Sequence, residues 1–140
     1  MKILFICCGN ICRSQIAEGY YNYFTKSGDA SSAGISDSTS LKYSHPTKEV
    51  IQIMEEEKID MLEKIVKSVT VEMTNNADRI FVMCPKERWH KFLLDSNKIT
   101  FWNIDDPYDT SIENHRRVRD EIKEKVRQII RHEKQPKWDF

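Results

Sequence analysis

An apolar tetrad, Ile3-Leu4-Phe5-Ile6, runs straight into a loop bearing cysteine and glycine, Cys7 to Ser14, and that loop runs straight into a helix-like stretch, Gln15 to Lys26. The tetrad, bounded by Gly9, reads as a short buried strand. The stretch after the loop carries Ile16, Ala17, Tyr20 and Phe24 near one face, and Ser27-Gly28-Asp29 stops it. A strand that turns directly into a helix is half of a strand–helix–strand unit, and the same alternation recurs along the chain.

Ala30 to Gly34 is a second strand candidate. Ser36 to Ser44 is polar and reads as a surface loop, with Tyr43 expected on one wall of a cleft. Pro46 suits the first turn of a helix that carries Val50, Ile51, Ile53 and Met54 and ends near Lys58. Ile59 to Lys67 has no decisive period. Thr70 to Ala77 reads as a short helix, Arg79 to Cys84 as a third strand, Pro85 to Leu94 as helical, and Ile99 to Ile104 as a fourth strand. Thr110 to His132 reads as a long helix with Ile112, Val118, Ile122, Val126, Ile129 and Ile130 on its core-facing stripe. This order predicts a single α/β domain: a four-stranded parallel sheet with helices on both faces and a phosphate-binding loop after the first strand. Residues 1–134 are expected to form the domain and 135–140 a C-terminal tail pinned by Trp138 and Phe140.

Composition narrows the function classes. The chain has 140 residues, with Lys plus Arg equal to Asp plus Glu at 22 each, so the net charge is near zero. That balance lacks the basic footprint of a nucleic-acid binder. No apolar run approaches the roughly 20 residues of a membrane span. The run after Lys2 is too short for a secretion leader and ends in Gly9-Asn10, with a charge at Arg13. Cys7, Cys8, Cys12 and Cys84 do not make the framework of a disulfide-rich secreted domain. Reduced thiols and a cytoplasmic location are the expectation. The C-x-x-C pairs of a zinc site are missing and His45, His90, His115 and His132 are scattered, so no metal and no cofactor are expected. The histidines read as surface or packing residues, as do Tyr20, Tyr21 and Tyr23, and His115-Arg116-Arg117 reads as a solvated helix face.

The loop itself, Cys7-Cys8-Gly9-Asn10-Ile11-Cys12-Arg13-Ser14, has the composition of an anion cradle built around a nucleophile. Backbone N–H groups of a strand-to-helix loop converge on one point, and the helix N-terminus adds partial positive charge. The planar fork of Arg13 matches two oxygens of a tetrahedral oxyanion. Such a field lowers a cysteine pKa from about 8.5 into the range of about 3.5–7.5, so Cys7 is expected to be a thiolate at neutral pH. Ser14 is placed to hydrogen-bond that thiolate, and Asn10 to brace the loop. In open parallel sheets ligands bind at the carboxyl ends of strands. The same rim carries Cys84 and the segment Asp105-Asp106-Pro107-Tyr108. Phosphoryl transfer from a monoester also requires a proton for the leaving oxygen, and Asp106 or Asp105 supplies it. Read without the loop, Asp105 and Asp106 would be only a turn ahead of the last helix, and Cys84 only a small buried hydrophobe.

Together these residues resemble the low-molecular-weight protein tyrosine phosphatase superfamily, which includes the thioredoxin-coupled arsenate reductases. The resemblance runs along nearly the whole chain. It rests on Ile3 to Glu18, Ser32-Ala33-Gly34, His45-Pro46, Ile59-Asp60, Val82-Met83-Cys84 and Asp105 to Tyr108. It implies Cys7 as nucleophile, Arg13 as oxyanion clamp, Asp106 as general acid, and Tyr108 lining the cleft. It also implies Cys12 as a partner that forms a reversible, protective disulfide with Cys7.

Two branches of that superfamily compete. Gln15 to Gly19, Cys84 and Arg117 to Ile122 look like the reductases. The further reductase cysteine, seven positions beyond the Cys84 equivalent, is Lys91 here, and Cys8 sits next to Cys7, where a disulfide between them would close a strained ring. Tyr108 looks like the phosphatases, although the histidine they often place near Lys64 is missing. The reading favoured by the sequence is a redox-regulated hydrolase of aryl phosphate monoesters, including protein phosphotyrosine, acting through a cysteinyl-phosphate. The alternative is a thiol-dependent arsenate reductase using the same loop, with Cys84, Cys12 or an external thiol reductant resolving the adduct. A non-catalytic oxyanion-binding or thiol-sensing module is a third reading, which leaves the Asp106 loop without a role. Expected ligands are phosphorylated proteins or small aryl phosphates and the oxyanions phosphate, arsenate and sulfate.

Overall fold

A computed structural model describes residues 1–134, with the backbone alone considered at Ser40; the tail at 135–140, including Trp138 and Phe140, lies outside the described residues. Four strands form one parallel sheet: β1 (Ile3–Cys7), β2 (Ala30–Gly34), β3 (Arg79–Val82) and β4 (Ile99–Phe101), in the order β2-β1-β3-β4. Six helices accompany them among the described residues: α1 (Arg13–Thr25), α2 (Thr39–Lys42), α3 (Lys48–Glu55), α4 (Val71–Asn76), α5 (Lys91–Leu94) and α6 (Ile112–Glu133). The chain is thus the expected four-stranded, helix-flanked α/β domain.

Every residue of β1 is buried, as a central parallel strand covered on both faces should be. Its side chains alternate between two cores. Ile3, Phe5 and Cys7 join Tyr20, Ile53, Val118, Ile122 and Trp102 beneath α1, α3 and α6. Leu4 and Ile6 join Ile80, Val82, Cys84, Val69 and Leu93 on the other face. The alternation places Cys7 and Cys84 in different cores although they lie on the same rim.

The sheet register brings β1 and β2 to a common end, Cys7 opposite Gly34 and Ile6 opposite Val82. Gly34 has no alternative there: a Cβ at this position would stand 2.8 Å from the carbonyl carbon of Gly9. The strand end therefore passes directly under the loop.

Three local expectations change. Pro46 precedes the helix rather than entering its first turn, because Thr47 caps α3 by accepting the Val50 N–H at 3.4 Å. The segment 85–94 is not one helix. A 3-10 turn at Lys86–Arg88 and the short α5 are separated by Trp89 and His90 in extended conformation. Side chains cause the break: the Trp89 indole N–H donates to the Cys84 carbonyl at 2.8 Å, and His90 Nε2 lies 3.0 Å from the Ile35 carbonyl oxygen. The loop at 36–44 contains the turn of helix α2.

Candidate active site

The carboxyl end of β1 and the segments that follow all four strands line a cavity of about 270 Å³. Its lining includes Cys7, Cys8, Gly9, Ile11, Cys12 and Arg13 from the loop, together with Tyr43, Asp106 and Tyr108.

The loop is shaped from below by Asn10. This residue is fully buried and takes a left-handed backbone with φ of 61°. Asparagine tolerates that region better than most residues. Its side-chain amide donates to Ser14 Oγ at 2.8 Å and Ser32 Oγ at 2.9 Å. Its carbonyl oxygen accepts from Gln15 Nε2 at 3.1 Å and from the Lys67 backbone N–H at 2.9 Å. Ser32 in turn donates to Glu18 at 2.9 Å, and Lys64 pairs with the same buried carboxylate at 2.9 Å. Lys64 thus compensates the charge of Glu18 at the foot of the network. All four hydrogen bonds of the Asn10 side chain are made, which rigidifies the loop it supports, while Gln15 Oε1 is buried without a partner among the described residues.

The Cys7 sulfur lies above this network. The Asn10 backbone N–H donates to it at 3.3 Å, and Ser14 Oγ is 3.0 Å away. Cys7 and Cys12 are both free thiols in this structure. Cys12 is buried, 3.8 Å from the Thr47 hydroxyl, and burial with Cys7 as its neighbour pushes its thiol up to about 12.

Arg13 occupies the first position of α1 and is 4% exposed. One of its terminal nitrogens, NH1, donates to the Met83 and Ile104 carbonyls, the latter at 2.9 Å. The other, NH2, stands 3.6 Å from Asp106 Oδ2. Nε is buried without a partner among the described residues. A buried unmatched donor is costly. An anion bridging Nε and NH2 would satisfy the guanidinium edge bidentately.

The two aspartates separate clearly. Asp106 lines the cavity and its Oδ1 accepts the Tyr108 backbone N–H at 3.1 Å. Asp105 turns away to pair with Arg117 at 3.2 Å. Tyr43 and Tyr108 meet edge to face across the mouth, with centroids 6.2 Å apart and their hydroxyls hydrogen-bonded. That bond raises the Tyr108 phenol pKa.

The expectation of reduced thiols changes at two positions: Cys8 and Cys84 are joined by a disulfide, so Cys84, a candidate to resolve an adduct on Cys7, is not a free thiol in this structure. Both project toward the β-face opposite Cys7, which brings them together, whereas Cys7 and Cys8 point apart. Strand alternation signals only that Cys7 and Cys8 face opposite ways; the pairing with Cys84 follows from the register of β1 against β3. Lys42 and Arg88 also line the cavity, from segments without a recognisable motif. Among the described residues no three metal-ligating side chains gather, and no helix is long and apolar enough to cross a membrane.

The low molecular weight phosphotyrosine protein phosphatase family model matches residues 2–137, and the chain belongs to that family. Its relatives carry both kinds of name. An arsenate reductase of Bacillus cereus is 30% identical over 136 residues, covering 91% of this chain and 92% of that protein. Vibrio vulnificus Wzb, solved with benzylphosphonate, is 24% identical with a TM-score of 0.83, covering 94% and 97%. An arsenate reductase in its phosphate-binding state is 26% identical with a TM-score of 0.77, covering 94% and 98%. The members of the family are enzymes.

Proposed function

We propose that this protein is a cysteine-dependent phosphatase of aryl phosphate monoesters, with phosphotyrosine side chains as the natural substrate class. The observation that carries the reading is the geometry of Arg13. Two main-chain carbonyls hold NH1, NH2 stands 3.6 Å from Asp106, and Nε has no partner among the described residues, so the Nε–NH2 edge remains for an oxyanion in the cavity that Arg13 lines with Cys7 and Asp106. In this reading the cradle holds the phosphate oxygens and the Cys7 thiolate attacks phosphorus. The phosphorus–oxygen bond to the aryl group breaks as Asp106 gives its proton to the leaving oxygen. Water then attacks the cysteinyl-phosphate, Asp106 takes up a proton, and the sulfur leaves as thiolate with Ser14 donating to it. Tyr43 and Tyr108 form the aromatic walls that receive the aryl ring. A nucleophile that must stay reduced fits the cytoplasm.

A second reading is arsenate reduction, favoured by the arsenate reductase names among the relatives. Cys7 would displace water from arsenate. A thiol would then attack the Cys7 sulfur, leaving the electron pair on arsenic and releasing arsenite. The structure offers no free thiol beside Cys7 except the buried Cys12, so an external thiol reductant would carry that step.

Steady-state turnover of an aryl phosphate, compared with arsenate reduction under several thiol donors, tests the choice. Hydrolysis lost in Cys7→Ser while phosphate still binds supports the phosphatase. Sustained arsenate reduction without hydrolysis reverses it.

A further inference from the structure

We propose that Cys8 and Cys84 form a reversible thiol–disulfide site that staples the oxyanion loop to the end of β3, and that a dithiol reductant opens it from the Cys8 side. The inference rests on the reading of the Cys7–Ser14 loop as an oxyanion cradle, but not on which reaction that cradle serves.

The two cysteines are 76 positions apart in sequence and their Cα atoms are 5.1 Å apart, well inside the span a disulfide bridges. Each backbone is fixed by a contact that does not involve sulfur. The Cys8 carbonyl accepts the Ser36 N–H at 2.8 Å, and the Cys84 carbonyl accepts the Trp89 indole at 2.8 Å. The strands that lead to them are in register at Ile6 and Val82. Opening the bond therefore removes the covalent restraint but leaves each cysteine held by one main-chain hydrogen bond, so the two thiols stay near enough to close again.

Access is one-sided. Cys84 is fully buried among Leu4, Ile6 and Val82, whereas Cys8 is half-buried and lines the cavity. An incoming thiolate attacks the Cys8 sulfur, and the Cys84 sulfur leaves as thiolate and takes a proton. The second thiol of the reductant then attacks its own sulfur in the mixed disulfide and releases Cys8. Two electrons and two protons reach the pair, and the reductant ends as a disulfide. Exchange with an oxidised dithiol runs the same steps backward.

The staple touches both halves of the cradle. Cys8 follows Cys7 in the chain, and Cys84 follows Met83, whose carbonyl accepts from Arg13 NH1. The nucleophile itself is spared, since Cys7 points into the other core and remains a free thiol. The closed form is thus the preorganised one. Opening it loosens the Cys8 amide and the Met83 carbonyl together, so oxyanion affinity falls by about three- to tenfold.

The test uses the wild-type chain equilibrated with reduced or oxidised dithiothreitol. Alkylation and peptide mass mapping should find a Cys8–Cys84 linked peptide with Cys7 still alkylated in the oxidised sample, and no link in the reduced one. Calorimetry with inorganic phosphate should show the tighter binding in the oxidised sample, with unchanged circular dichroism. Cys84→Ser should bind with the weaker affinity in both buffers. The proposal is overturned by free Cys8 and Cys84 under oxidation, by a bond that dithiothreitol cannot open in the folded protein, or by equal or inverted affinities. If phosphate binds neither form, the cradle reading fails, and the mass map alone then decides whether the redox site exists.

Discussion

The Asn10 side-chain amide donates to the Ser14 hydroxyl at 2.8 Å, and that bond sets the direction of the next. Ser14 Oγ accepts a hydrogen bond from Asn10, so its own hydroxyl hydrogen is free to point at the Cys7 sulfur 3.0 Å away. Ser14→Ala should therefore lower turnover of an aryl phosphate by about 10- to 100-fold, with a small change in Tm. Asn10→Ala should cost both turnover and about 2–3 kcal/mol of stability, because it strands several buried partners and puts alanine at positive φ. Kinetics and thermal melts on the two variants separate the effects.

Asp106 faces the cavity and Asp105 faces Arg117. Asp106→Asn should reduce turnover by about 10²- to 10⁴-fold, most for aryl phosphates with poor leaving groups. Asp105→Asn should stay within about twofold of wild type, since it breaks only an exposed ion pair. A leaving-group series on both variants reads the difference; the opposite ranking would move the proton donor to Asp105.

Gly34 and Gly28 make a matched pair. A methyl at Gly34 meets Gly9 and Asn10 backbone atoms at 2.8–3.1 Å, whereas one at Gly28 meets nothing within 4 Å. Gly34→Ala should destabilise by about 1–3 kcal/mol and weaken phosphate binding by displacing the loop. Gly28→Ala should change stability by less than about 0.5 kcal/mol. Chemical denaturation of both checks the contrast.

Glu56 ties the end of α3 to α6 by pairing with Arg116 at 2.7 Å and Arg119 at 2.8 Å. Its carboxyl is lowered from 4.5 to about 2, chiefly by the Arg116 hydrogen bonds. A depressed carboxyl pKa stabilises the fold above the ordinary value and loses that contribution as pH falls through the folded one. The window is therefore pH 4.5 down to about 2. Glu56→Gln should flatten the acid dependence of Tm in that window. At neutral pH its cost should be only about 0.5–1 kcal/mol, because the Glu56 and Arg116 side chains are 35% and 37% exposed and solvent screens the pair.

Much of this was legible in the chain. The apolar tetrad, the loop and the alternation that follows contain the parallel sheet, since a central strand has to be apolar throughout and its crossovers have to be helical. The choice between Asp105 and Asp106 was not legible, because adjacent residues differ only in direction and Arg117 decides it from another element. The break at Trp89 and His90 was hidden for a similar reason: the Ile35 carbonyl beside the His90 ring belongs to another element, and the nearby Cys84 carbonyl takes the Trp89 side chain, which helix periodicity does not register. The Cys8–Cys84 bond needed the register of β1 against β3, which no local pattern in the chain reveals.

Both acceptors that steady Arg13 are peptide oxygens, at Met83 and Ile104. Exchanging the side chain at either position leaves those oxygens in place. The aim of the guanidinium is thus inherited from the path of the main chain, and it can be spoiled by a shifted strand end far more readily than by a changed residue.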